Sequence, residues 1–136
     1  MFIAKEARDE FWNSGKVDKK TRHKPFVAAS IGCYGAYLAD GSEFIGKYKL
    51  NKEQLKAWHR KRLAVIAEAK PDLFACETIP CLVEAEALVE VLQEFPSIKA
   101  WLSFSCKDEE HLNSGEKFSE VFRIIDDVDC DENGQH

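Results

Sequence analysis

The feature that most constrains the fold is a regular alternation of short apolar runs with longer segments of helical periodicity. Three runs bounded by Pro, Gly or charged residues predict buried strands. These runs are 26–31, 72–77 and 99–105. Apolar residues at helical spacing predict four helices: 2–13, from 51 to Pro71, from Pro80 to about 94, and from 114 to 125. Strands that alternate with helices pair in parallel through right-handed crossovers.

Two helix starts carry a specific signal in the sequence. Asn51 with Gln54 three residues later has the pattern of a capping box, which predicts a helix that begins at residue 52. Ser114 is the predicted cap of the last helix. Its predicted apolar face consists of Phe118, Val121, Phe122 and Ile125.

Parallel α/β alternation leads to an open doubly wound sheet or to a (β/α)8 barrel. Three strands are too few to close a barrel, and an open sheet of three strands is small. The sequence therefore predicts an α/β fold that is a partial (β/α)8 barrel, in which three parallel strands alternate with helices. A piece of this kind is either incomplete or assembles with another chain.

Composition excludes several classes of protein. The 136 residues carry a net charge of −5 without a long basic run, which argues against a nucleic-acid-binding surface. The densest basic stretch, "HRKR" at 59–62, is predicted to be a solvated helix face, and His59 and His111 are predicted to face solvent. No apolar run reaches the roughly 18 residues of a membrane span. Five cysteines without a CxxC spacing favour the reducing cytoplasm.

The candidate site lies where the three strands end, because active sites of both architectures occur at the carboxyl ends of parallel strands. Strand alternation predicts that Glu77, Ser103 and Ser105 point toward this site. A carboxylate at the end of a buried strand needs a cation or several hydrogen bonds. A ligand amino group, a lysine or a helix N-terminus would each meet that need, and the spacing does not choose among them.

Cysteines also follow the strands, which raises the alternative of a metal site. Cys33, Cys76 and Cys106 each lie at a strand end, and three thiolates can bind zinc. Alternation along the strands places Cys76 and Cys106 on the face opposite Glu77. We therefore predict buried structural thiols rather than a three-thiolate site.

Three blocks of the sequence together resemble the homocysteine S-methyltransferase family. They are "VAASIGCYGAYLADGSEFIGKY", "FACETIP" with "EAEAL", and "WLSFSCKD" with "HLNSGE", and the likeness covers about residues 2–125. The branch that uses S-methylmethionine or S-adenosylmethionine is the most similar. The resemblance implies a (β/α)8 barrel that transfers a methyl group from a sulfonium donor to the thiol of homocysteine, giving methionine. It also implies a zinc ion bound by three cysteines.

The resemblance assigns roles to residues of the matching blocks. Glu77 of "ACET" corresponds to the acidic residue that binds the homocysteine amino group. The Tyr34–Glu43 loop, with Tyr34 and Tyr37, resembles the family loop at the mouth of the barrel, and we expect it to shape the donor pocket. The family's "NC" and "GGCC" cysteine blocks do not occur in this sequence. We therefore assign neither a metal ligand nor a catalytic residue here.

The matching region corresponds to the third to fifth strands of the family barrel, so the chain is predicted to be an internal fragment. Residues 1–125 would belong to the barrel domain, and residues 126–136 would form a disordered acidic tail. Such a fragment is expected to be inactive alone. Two alternatives remain. One is a short non-catalytic protein that pairs with a full-length relative or binds an amino acid through Glu77, and the other is a small independent enzyme of the open-sheet type.

Overall fold

A computed structural model describes residues 2–129 and shows helices alternating with three strands. The helices are α1 Phe2–Asn13, α2 Tyr34–Leu38, α3 Lys52–Glu68, α4 Leu82–Leu92 and α5 Val121–Asp129. The strands are β1 Ala28–Gly32, β2 Leu73–Ile79 and β3 Lys99–Phe104. Short 3-10 helices occupy Ser42–Phe44 and Phe118–Glu120.

The three strands form one parallel sheet in the order β1-β2-β3. Ala28 pairs with Leu73, which pairs with Lys99, and Gly32 pairs with Glu77 at the other end. The β2–β3 register shifts between Cys76 and Ile79. This arrangement confirms the predicted α/β fold class with three parallel strands.

Helices α3 and α4 cover one face of the sheet and make the core with it. The buried residues that line this face include Ile31, Phe74 and Cys76 from the strands and Leu63 and Leu88 from the helices. The opposite face carries the exposed side chains of Ser30, Trp101 and Ser103. Apolar burial therefore stabilises one side of the sheet far more than the other.

The capping box predicted for α3 is confirmed. The Asn51 side chain accepts a hydrogen bond from the Gln54 backbone N–H at 3.0 Å, and the Gln54 side chain accepts one from the Asn51 N–H at 3.0 Å. These two contacts satisfy backbone donors that the first turn of a helix otherwise leaves unpaired.

The predicted cap of the last helix is wrong. Ser114 donates its hydroxyl to the carbonyl oxygen of Pro80 at 2.8 Å, and the 3-10 turn that precedes α5 begins only at Phe118. Residues 105–117 are instead held by isolated antiparallel bridges, Cys106 with Leu112 and His111 with Lys117. The contact of Ser114 with Pro80, 34 residues away, competes with a helix start at Ser114. Of the predicted apolar face of this helix, Val121 is buried, whereas Phe122 and Ile125 are exposed.

The last helix is longer than the sequence predicts. Helix α5 continues to Asp129, four residues past the predicted end of that helix at 125. Residues 130–136, which make up most of the predicted acidic tail, lie outside the described residues. Among residues 2–129, no helix has both the length and the apolar character that crossing a bilayer requires.

Candidate functional site at the carboxyl ends of the strands

The segments that follow the three strands meet at one edge of the sheet, which we call the rim (residues 32–46, 77–81 and 105–117). The Ser105 N–H donates to the carbonyl of Ile79 at 3.1 Å, and the Ser114 N–H donates to that of Pro80 at 3.1 Å. The Asn113 side chain donates to the Ser105 hydroxyl at 3.1 Å and to the Glu43 carbonyl at 3.4 Å. The rim is therefore a single hydrogen-bonded structure rather than three separate loops.

Glu77 lies on β2 within the rim and is partly buried. The next residue, Thr78, has a left-handed backbone (φ 63°), and its N–H donates to the Ser103 hydroxyl at 3.3 Å. Within residues 2–129, no Lys, Arg or His side chain forms an ion pair with Glu77. A lysine was one of the partners that the sequence allowed for Glu77. In the described part of the chain, no lysine takes that place.

The two serines predicted for the site have different surroundings. Ser103 is exposed on the uncovered face of β3 and accepts the Thr78 N–H. Ser105 lies just past the end of β3, where its hydroxyl accepts the Asn113 amide. Ser103 therefore contacts the backbone of Thr78, the residue after Glu77, while Ser105 holds part of the rim together.

The two tyrosines predicted for the site lie on α2, a five-residue helix inside the segment that the sequence analysis treated as a loop. The Tyr34 ring packs edge-on against Trp58 at 5.1 Å and against Tyr48 at 5.4 Å between ring centroids. Tyr37 lies 5.5 Å from Trp58 and is 68% exposed. The rings therefore form an aromatic cluster whose outer member faces solvent.

A pocket of about 530 Å³ opens between α2 and α3, and six residues line it: Gly32, Cys33, Ala36, Tyr37, Trp58 and Arg62. The Arg62 guanidinium lies 4.2 Å from the Trp58 ring centroid and donates to the carbonyl of Gly32 at 3.0 Å. Burial lowers the pKa of Arg62. Arg62 is therefore packed into the rim, and the prediction that 59–62 is a solvated face is wrong for this residue.

The prediction that His59 faces solvent is also wrong, because His59 and Glu84 form a fully buried pair. The His59 Nε2 atom lies 2.8 Å from Glu84 Oε1, and the Tyr34 backbone N–H donates to the same oxygen at 2.6 Å. Burial and the nearby Glu84 carboxylate raise the pKa of Tyr48. The pair lies between α3 and α4, which pack side by side.

The sequence contains a signal for this pair that the prediction of a solvent-facing His59 does not use. His59 stands four residues from both Leu55 and Leu63, and all three are buried along one face of α3. Glu84 stands four residues before Leu88, on the buried face of α4. A polar residue inside an apolar helical stripe is a reason to expect a buried partner.

The cysteines do not fit the zinc site that the resemblance implies. Cys33, Cys76 and Cys81 are buried, and Cys106 is exposed. Burial raises the pKa of Cys76 to about 12 and that of Cys81 to about 12, which disfavours the thiolate that binds metal. Among the described residues, no group of three His, Cys, Asp or Glu side chains could hold a metal ion. Cys130 lies outside those residues.

Known proteins with similar sequences are methyltransferases. Residues 1–132 match the family model described as homocysteine S-methyltransferase. The homocysteine S-methyltransferase YbgG of Bacillus subtilis is 50% identical over 125 residues, which cover 92% of this chain and 39% of that protein. A betaine-homocysteine S-methyltransferase of Drosophila melanogaster is 46% identical over 122 residues, covering 88% of this chain and 37% of the fly protein.

A solved structure is similar as well. The metallated form of the homocysteine methyltransferase MmuM from Escherichia coli superposes with a TM-score of 0.84 at 39% identity. The superposition covers 93% of this chain and 42% of that one. The chain spans about two fifths of the length of the curated relatives it matches. The family match over nearly all residues, with relatives at about half identity, shows that this chain belongs to the homocysteine S-methyltransferase family.

Proposed function

We propose that this chain forms the homocysteine-binding part of a (β/α)8 methyltransferase barrel. The reaction is methyl transfer from a sulfonium donor, S-methylmethionine or S-adenosylmethionine, to homocysteine, giving methionine. The names of the similar proteins support homocysteine as the acceptor. A sulfonium donor is proposed because the sequence blocks resemble the branch of the family that uses one. The free cysteines support a cytoplasmic location.

The observation that best supports this proposal is the environment of Glu77. It is partly buried at the carboxyl end of a parallel strand, and it has no cationic side-chain partner within residues 2–129. A carboxylate in such a place gains most from a ligand cation, because pairing offsets the cost of its partial desolvation. The α-ammonium group of homocysteine is such a cation. Ser103 and Ser105 add hydroxyl groups at the same edge.

The aromatic cluster has side chains of the kind that attract a positively charged methyl donor. A sulfonium carries a positive charge, and aromatic faces attract cations, more strongly where water is excluded. The exposed Tyr37 ring gives that charge a surface at the rim. We propose that Tyr34 and Tyr37 line the donor side of the site and that Glu77 lines the acceptor side.

The transfer itself needs a thiolate. Homocysteine releases its thiol proton to solvent, its sulfur forms a bond to the donor methyl carbon, and the old carbon–sulfur bond breaks with its electron pair staying on the donor sulfur. The zinc implied by the resemblance would make the thiolate available at neutral pH, and a metallated relative supports a metal in the family. The residues described here do not fit that metal, so we expect no turnover by this chain alone.

A second candidate function is a non-catalytic protein that pairs with a full-length relative. The uncovered sheet face, with Trp101 49% exposed, favours this alternative. The other form of this alternative is a non-catalytic chain that binds an amino acid through Glu77.

The test of the proposed function is a hybrid enzyme, in which residues of this chain replace the matching 125 residues of the Bacillus subtilis relative. We expect the hybrid to form methionine from homocysteine and S-methylmethionine. Glu77→Gln should raise the KM for homocysteine by about tenfold or more, since a hydrogen bond between charged groups contributes about 1.5–3 kcal/mol. The measurement is the initial rate at varied homocysteine.

Glu68→Gln is the matched control, because Glu68 is exposed at the end of α3, away from the rim. Its KM should equal that of the unchanged hybrid. A folded hybrid without activity would contradict the proposed function. An unchanged KM for homocysteine in Glu77→Gln would contradict the role of Glu77.

A further inference from the structure

One buried carboxylate connects three helices beneath the rim. Glu84 lies in the first turn of α4 and is fully buried. Its Oε1 atom accepts the Tyr34 N–H from α2 at 2.6 Å and lies 2.8 Å from the His59 Nε2 of α3. An ionisable pair inside an apolar core costs desolvation energy that well-packed apolar residues avoid. The pair therefore needs a reason beyond stability.

The contact from Glu84 to Tyr34 supplies the N-terminal cap that α2 lacks. Tyr34 is the first residue of α2, and the residue before it, Cys33, makes no side-chain capping hydrogen bond. The first N–H groups of a helix have no partner within the helix, and five residues are too few for a helix to be stable alone. Glu84 thus acts as a cap that comes from a distant helix.

Helix α3 also contacts α2 and the residues just before it. Arg62 donates to the Gly32 carbonyl, two residues before α2. Trp58 packs against the rings of both Tyr34 and Tyr37. The backbone and the rings of α2 are therefore held by one face of α3 together with Glu84, and a shift of that backbone would move both tyrosines.

We propose that Glu84 is a positioning residue: by accepting the Tyr34 N–H, it fixes α2 and so sets where the Tyr34 and Tyr37 rings meet the methyl donor. His59 holds the carboxylate in the orientation that reaches α2. The donor part of this inference rests on the proposed function, whereas the fixing of α2 does not.

The first test measures hydrogen exchange at the Tyr34 amide in the 136-residue chain. Glu84→Ala should speed exchange over residues 34–38 by about tenfold or more, because the N–H loses its acceptor. Glu84→Gln keeps an amide oxygen in the same place and should retain most of the protection. Glu86→Ala, on the same helix but partly exposed, is the control that should change nothing at α2. Equal protection in folded Glu84→Ala would overturn the inference.

The second test separates positioning from general loss of structure. In the hybrid enzyme, Glu84→Ala should raise the KM for S-methylmethionine by about fivefold or more and leave the KM for homocysteine within about twofold. Glu84→Gln should restore most of the donor KM. A parallel rise of both KM values, or no rise of either, would contradict positioning.

Glu84→Leu is the second variant if Glu84→Ala does not fold. Leucine fills much of the same volume in the apolar core but has no oxygen that accepts the Tyr34 N–H. It should speed exchange at α2 and raise the donor KM in the same direction. If it changes neither, the inference fails. An inactive unchanged hybrid would overturn the proposed function alone, because the exchange measurement still decides whether Glu84 fixes α2.

Discussion

At the scale of single residues, two glycines allow the rim segments to pack together. A Cβ atom at Gly35 would lie 2.5 Å from the Glu43 backbone nitrogen. A Cβ atom at Gly46 would lie 2.7 Å from the Pro80 carbonyl oxygen, and Gly46 has a φ of +69°. Both distances are far below a normal contact. Gly35 therefore lets the segment after β1 fold back on itself, and Gly46 lets that segment reach the one after β2.

We predict that Gly46→Ala destabilises the chain more than Gly41→Ala. Gly41 also has a positive φ, +87°, but no atom lies within 4 Å of the added carbon. Gly41→Ala should cost about 1 kcal/mol from backbone strain alone. Gly46→Ala adds the clash with Pro80 and should cost about 1–3 kcal/mol more. Urea unfolding of both variants measures the difference, and equal midpoints would contradict the packing described for the rim.

At the scale of elements, the sequence was informative wherever the determinants are local. The capping box places the start of α3, and apolar runs place the strands within two residues. Helix α2 was missed because it has five residues and no local side-chain cap, and its stabilising contact comes from Glu84, fifty residues away. The pairing of His59 with Glu84 depends on how α3 and α4 pack, which periodicity alone does not specify.

Helix α1 is attached to the rest of the chain mainly through polar contacts, since none of its residues is buried. Lys5 donates to the Lys70 carbonyl at 2.7 Å, and Arg8 forms an ion pair with Asp72. Asp72 also accepts the Val27 N–H at 2.6 Å, and this hydrogen bond together with Arg8 lowers its pKa. Arg8, and Lys24 from outside α1, together hold the pKa of Asp9 at about 2, and the Lys24–Asp9 ion pair also attaches α1 to the following segment.

We predict that acid releases α1 before the sheet unfolds. Both carboxyls have a lowered pKa in the folded chain, so their contribution is complete above the ordinary pKa of about 4 and is lost as the pH falls toward 2. Asp72→Asn should speed exchange in α1 at neutral pH, whereas Glu10→Gln, exposed on the same helix, should not. Hydrogen exchange by mass spectrometry across this range is the measurement. Equal protection of α1 at pH 2 and pH 6 would contradict the prediction.

At the scale of the whole molecule, the sheet is covered on one side only. Helices α3 and α4 bury one face, while Trp101 and Ser103 are exposed on the other. Within residues 2–129, β1 and β3 are the edge strands of the sheet. In a complete (β/α)8 barrel the inner face is filled by layers of side chains and every strand has two neighbours. The described region therefore presents the surfaces that a barrel normally closes.

We predict that the purified 136-residue chain associates with itself through this open face. Unpaired strand edges and exposed apolar side chains favour contact with a second copy. The mass from light scattering after size exclusion should exceed 15.5 kDa and rise with concentration. Trp101→Lys should lower it, because a charge on the face opposes burial. Val65→Lys, which changes an exposed residue of α3, should not. A monomer at every concentration would mean that the chain itself covers this face, which would remove the main support for pairing with a full-length relative.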